Sequence, residues 1–295
     1  MTNFNGRLGN RINHIKTLVG VAEVAPCNIS IRKDMIQGYK ARHAHFLFLG
    51  SDMTSTRNST RNCPSMTGVE WAKYGAKHRL SPKHHIEVLR HYFDINSTHT
   101  LGKSCTSNRF AALHVRSGDM GRGVWNKTSG MYKPAGVNKG YAFYPTSFYT
   151  SVVREIRSRR GKDFTFIVFC EDMNNPTCDF FLKVSSTDDT VHVRVNQPLV
   201  DDLHIMLCAE EVAISRGSFQ SALDLSSARL IKHIYFDREP QACKFEPSTS
   251  TQRIGYWISS ANESASFAKD TKVWTNSGYQ RYVINAFHEM EFCDM

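Results

Sequence analysis

The sequence predicts an α/β protein of two domains, the second built on a doubly wound parallel sheet. Three observations carry that expectation. At 295 residues the chain is long enough for two packed domains, one large domain being the alternative. From Arg109 onward, apolar runs of strand length alternate with stretches of helical periodicity, the pattern of repeated strand-helix units. One of those runs, Phe-Thr-Phe-Ile-Val-Phe at residues 164–169, is apolar without alternation, as a strand covered on both faces is.

The first domain is expected over residues 1–107. It opens with Gly6-Arg7-Leu8-Gly9-Asn10, followed by a helix with Ile12, Ile15, Val19 and Ala22 on one face. Pro26 ends that helix, and residues 27–31 read as a short strand. Residues 46–49, Phe-Leu-Phe-Leu, read as a buried strand bounded by Gly50. Ser81-Pro82 is a helix-start signal for a segment carrying Ile86, Leu89, Arg90 and Phe93. From Asn96 to Ser107 the chain becomes rich in Ser and Thr and loses periodicity, which marks the linker.

The second domain is expected over residues 108–295. Residues 110–115 read as a strand, and residues 117–143 as one long loop rich in Gly, Lys and Tyr. Tyr144-Pro145 starts a helix with Phe148, Val152, Val153 and Ile156, and residues 164–169 form the next strand. Residues 191–195 alternate, residues 201–209 are helical, residues 212–214 are a strand, and a helix starts at Phe219. Residues 231–236 read as the last strand. Beyond Pro240 the pattern fades into a C-terminal extension, with residues 279–290 as a closing helix.

Composition is that of an ordinary globular protein, 41% hydrophobic and 22% charged. No run approaches the ~20 apolar residues of a membrane helix, and the N-terminus shows no signal-peptide pattern. The net charge is +10, which suits a solvated basic face, an anionic small ligand or nucleic acid. Nucleic acid is the least supported of these. The densest basic run (Arg154, Arg157, Arg159, Arg160, Lys162) has no interleaved aromatics and falls at a helix end, where cations suit the dipole. The eight cysteines contain no C-x-x-C, so no metal site is expected, and their even number permits disulfides. Five N-x-S/T sequons, at Asn28, Asn58, Asn96, Asn126 and Asn262, lean with the cysteines toward the secretory pathway or Golgi lumen if a leader or anchor is missing. Otherwise the expectation is cytoplasmic.

Three turns carry residues suited to chemistry. In the first, His114-Val115-Arg116-Ser117-Gly118-Asp119 ends an apolar strand. Arg116 can offer a bidentate fork to phosphate, Gly118 permits close backbone approach, and His114 and Asp119 can position neighbours. The structural alternative is an Arg116–Asp119 ion pair at the strand end. The second is the loop at residues 6–10, whose glycines and cation can hold an anion before a helix, or form a tight turn with Asn10 as cap. The third is Ile214-Ser215-Arg216-Gly217-Ser218-Phe219, where backbone amides and Ser218 can meet phosphate or begin a capped helix. Upstream of it, Asp201-Asp202 reads first as a cap and second as a nucleotide contact. Glu171-Asp172 follows a strand and either faces the crevice or starts a loop.

In this order, these motifs resemble those of the GT-B fucosyltransferases that carry an H-x-R-x-G-D motif, the α-1,2-, α-1,6- and protein O-fucosyltransferases. Residues 6–10 resemble their N-terminal G-x-x-G-N loop, with Arg11 where glutamine is common. Residues 114–119 resemble the donor motif, with Ser117 where some members have a second arginine. Asp202-Leu203-His204-Ile205-Met206 with Ile214-Ser215 and Ser218-Phe219 resembles the late motif. The resemblance implies two Rossmann-like domains with parallel sheets and an inverting, metal-independent transfer of fucose from GDP-fucose to a glycan or glycoprotein acceptor. It needs no cofactor beyond the donor. It also implies that Arg116 contacts the β-phosphate, that Ser218 and Phe219 line the nucleotide site together with His114, Gly118 and Asp202, and that Asn10 sits near the reacting sugar. No carboxylate precedes Glu23 in the early loop, so the resemblance transfers no base. Asp119, with Glu171 and Asp172, is the candidate. A catalytically inactive nucleotide-sugar or glycan binder is the main alternative, and a basic nucleic-acid-binding protein the second.

Overall fold

A computed structural model describes residues 30–31, 47–49, 53–54, 93–95, 109–117, 124–126, 131–133, 143–197, 199–215, 232–236, 252–271 and 277–294. The chain divides into two compact units, residues 1–106 with 218–226, and residues 107–217 with 227–295.

In the first unit the described strands are β1 (Ser30–Ile31), β2 (Leu47–Leu49), β3 (Met53–Thr54) and β4 (Phe93–Ile95). They form two antiparallel pairs, β1 with β3 and β2 with β4. The parallel pairing expected here is not what these residues make. Antiparallel partners need no crossover helix between them, and Phe93, expected on a helix, lies in β4.

The second unit contains β5 (Phe110–Val115), β6 (Val124–Asn126), β7 (Met131–Lys133), α1 (Thr146–Arg160), β8 (Thr165–Cys170), α2 (Pro176–Ser185), β9 (Val191–Val195), α3 (Leu199–Cys208) and β10 (Glu211–Ile214). These are followed by β11 (Lys232–Phe236), β12 (Gln252–Ile258), α4 (Ala261–Asp270), α5 (Gly278–Asn285) and β13 (Met290–Asp294). One seven-stranded sheet runs in the order β13-β12-β11-β10-β5-β8-β9. The four strands β10, β5, β8 and β9 are parallel, the direction continues through β11 and β12, and within this sheet only the edge strand β13 is antiparallel. The α/β class with a parallel sheet is therefore present in this unit.

Local sequence explains most of the boundaries. Pro145 sits in extended backbone at the entry to α1, and Gly161 ends it with φ +99°, where a side chain would be strained. Asn175 caps α2 by accepting from the Thr177 amide, with Pro176 next, where a missing N–H costs nothing. Ser260 and Ser277 cap α4 and α5 in the same way, with Glu263 and Gln280 three residues on.

Period-two alternation divides the sheet into two faces. Ala111, Leu113 and Val115 of β5, with Phe166 and Val168 of β8, enter one core with Phe148, Val152 and Ile156 of α1, Phe181 of α2, Phe267 of α4 and Ile284 of α5. Ala112, Val212, Ile214 and Phe169 are also buried but alternate onto the opposite face.

Three expectations change. Residues 231–236 are not the last strand, since β12 and β13 follow. The closing helix stops at Asn285, and Met290 pairs with Ile258 in β13. The long loop after β5 contains the antiparallel pair β6–β7.

Candidate functional site

Strand order decides where a ligand site can form. From β5 the chain winds outward through β8 to β9, then returns through α3 to β10 and winds the other way through β11 and β12. The reversal falls between β5 and β10. Connections leaving the carboxyl ends of strands on either side of such a point diverge and leave a crevice. Arg116 and Ser117 leave β5 there, and Ser215 leaves β10.

The two turns are joined directly. The Ser215 hydroxyl lies 2.8 Å from Nδ1 of His114, a residue 101 positions away in sequence. The Tyr149 hydroxyl, reaching up from α1, donates to the His114 carbonyl at 3.2 Å. Burial raises the Tyr149 pKa well above its usual value. Burial, with the neighbouring Arg116 guanidinium second, holds His114 down at about 3. His114 is thus a neutral imidazole at physiological pH, and Arg116 is the cation of the pair.

The backbone around Arg116 is held from the β8–α2 connection. Nδ2 of Asn175 donates to the Arg116 carbonyl at 2.8 Å. Ser117, fully buried, makes a reciprocal pair with the backbone of Asp172: its hydroxyl donates to the Asp172 carbonyl at 3.2 Å and lies 2.9 Å from the Asp172 amide. The Asp172 carboxylate turns back on its own loop, accepting from the backbone and side-chain amides of Asn174 at 2.9 and 2.7 Å. A Cys170–Cys178 disulfide closes this connection at its base, and Cys208 is also disulfide-bonded. From α5, Arg281 donates to the Asn174 carbonyl at 3.4 Å and pairs with Asp179 of α2.

The structure thus brings His114, Arg116, Ser117 and Ser215 together at the reversal point. Asn10, Gly118, Asp119, Ser218 and Phe219 lie outside the described residues. Asp202 lies within α3, past the cap position, and accepts from Nε of Arg194 on β9 at 2.8 Å. Its pKa is raised by burial, with Arg194 opposing the shift. Sequence reasoning misses Asn175 and Tyr149 as site residues. Asn-Pro at 175–176 is a helix-start signal that marks the position, whereas nothing local in Tyr149 does.

The basic run occupies the other end of the same sheet. Arg159 pairs with Glu155 and, at 2.7 Å, with the fully buried Glu211. Arg160 lies 3.3 Å from Glu210 and 3.7 Å from Glu211. Arg157 reaches Asp188 at 2.5 Å and Thr190 at 2.7 Å. Among the described residues, no helix is long and apolar enough to cross a membrane.

Comparison with known proteins finds no matching family model, no matching curated protein and no matching solved structure.

Proposed function

We propose that this protein is an inverting, metal-independent glycosyltransferase that moves fucose from GDP-fucose to a glycan or protein hydroxyl. Residues 1–107 would form the acceptor side and residues 108–295 the donor side. One observation carries the reading. His114 and Ser215, 101 positions apart in sequence, meet at the reversal point of a parallel sheet, just before Arg116 leaves β5, where doubly wound sheets place nucleotides. The order of the three sequence motifs supplies the substrate class.

The chemistry suits these residue types. The acceptor oxygen attacks the anomeric carbon while the bond from that carbon to the phosphate oxygen breaks. The electron pair leaves on GDP, and the acceptor proton passes to a base. Negative charge develops on the diphosphate, and a guanidinium fixed beside a neutral histidine stabilises it. Asp119 remains the proposed base. The disulfides fit an oxidising lumen.

A second reading, a binder without catalysis, is favoured by one contact. Asp172, a candidate base, has both carboxylate oxygens engaged by Asn174.

Calorimetry with GDP, GDP-fucose and RNA, followed by GDP-fucose hydrolysis assays, tests these readings. GDP is expected to bind, and Arg116→Ala should weaken it about 10- to 100-fold, the value of a charge-assisted hydrogen-bonding pair. Absence of GDP binding, or binding indifferent to Arg116→Ala, overturns the proposal. Binding of GDP-fucose without turnover leaves the binder.

A further inference from the structure

We infer that the β8–α2 connection is a clamp that aims Arg116 at the donor's sugar-bearing β-phosphate, with Asn175 as its positioning residue. The inference rests on the proposed GDP-sugar reading and deepens it.

Arg116 follows the last residue of β5, so sheet hydrogen bonds no longer determine its backbone. Two contacts from one short connection replace them. Asn175 binds the Arg116 carbonyl at 2.8 Å, and Asp172 makes the reciprocal pair with Ser117. The clamp is itself rigidly held. Asn175 is 1% exposed, and Ser117 and Thr177 are fully buried. The same Asn175 side chain caps α2 through Thr177, while the Cys170–Cys178 disulfide ties the two ends of the connection together. One amide therefore does two jobs: its oxygen starts a helix and its nitrogen sets the Arg116 peptide.

Ser117 gains a meaning here. A long cation at this position could not fit a site of zero exposure while pairing with a peptide group on the adjacent connection. A small hydroxyl can do both. This turn therefore has its Arg116 peptide held from the neighbouring connection on both sides.

The division of labour can be separated experimentally, because Asn175→Ser keeps an oxygen able to cap α2 but removes the amide that reaches Arg116. If Asn175 acts through Arg116, the variant should lose affinity for GDP about tenfold yet bind GMP, which lacks the terminal phosphate, as the unchanged protein does. In an Arg116→Ala background the same substitution should have no further effect on GDP. Ser117→Ala, which keeps the volume small, should reproduce the GDP-selective loss, and thermal melting of each variant confirms folding. Equal losses for GDP and GMP, or an undiminished effect without Arg116, would show a structural role and overturn the clamp while leaving the GDP-sugar reading standing. If the unchanged protein binds no GDP, both fall together.

Discussion

The two ends of the large parallel sheet hold their arginines by different parts. At the amino end, arginines are absorbed by carboxylates: Glu211, fully buried at the start of β10, is held by Arg159, and Glu210 by Arg109 and Arg160. At the carboxyl end, Arg116 is fixed through its peptide by Asn175, beside a histidine kept neutral by burial. A cation near buried carboxylates neutralises a desolvation cost. At the carboxyl end it is the Arg116 peptide that is held, and the proposed function gives its guanidinium the donor diphosphate to meet. Residue type is the same in both places, and the position along the strand direction separates scaffold from the proposed site.

That contrast can be broken in three ways. The largest effect is expected at the amino end. Among the described residues, Arg159→Ala leaves Glu211 with only the longer 3.7 Å approach of Arg160. Urea unfolding should then show a loss of about 3 kcal/mol with GDP affinity unchanged. A weaker GDP affinity at constant stability would erase the distinction between the ends.

Next is the brace of the clamp. Replacing Cys170 and Cys178 together by Ser opens a loop spanning a sequence separation of 8. The chain-entropy relation puts the loss at about 2.5 kcal/mol, read from the shift in denaturation midpoint. Here, unlike at the amino end, GDP affinity should fall along with stability.

The smallest effect is a pH dependence set at the carboxyl end. The folded-state pKa of His114 is lowered to about 3, while the unfolded imidazole titrates near 6.5. The unfolded state therefore binds the extra proton between those values, and stability falls as pH drops through that window. Full stability from this residue is present above about pH 6.5, and the loss approaches about 1.4 kcal/mol per pH unit, or about 2 kcal/mol by pH 5. Denaturation curves at pH 7 and pH 5 measure it, and His114→Gln should flatten that slope. An unaltered slope in the variant would place the acid sensitivity elsewhere.

The legible parts of the fold are those with strong local patterns. The apolar run of β8 is readable to within one residue, because a strand covered on both faces needs apolar residues throughout. The start of α1 follows from Tyr144-Pro145, and Gly161 stands at its stop. The strands past Pro240 are not readable. β12 mixes Gln252, Arg253 and Gly255 into its run, and β13 is a five-residue antiparallel edge, Met-Glu-Phe-Cys-Asp, paired with β12. At the site, Arg116 is visible from its own turn. Asn175 is not, because its partner is the Arg116 carbonyl 59 residues earlier. The basic run looks available on sequence alone, since Glu210 and Glu211, which engage Arg159 and Arg160, lie beyond two further strands.

By itself, the sequence determined the strand-helix alternation of the second unit, the apolar strand ending at Val115 and the cation that follows it. Periodicity and caps act over a few residues and are written locally. Only the tertiary structure decided that β5 and β10 are neighbours across the reversal of the sheet, which joins His114 to Ser215. It also decided that Ser117 is a buried backbone clamp. Strand order and the partners of a peptide carbonyl are non-local, and they emerge when the whole sheet closes on one core.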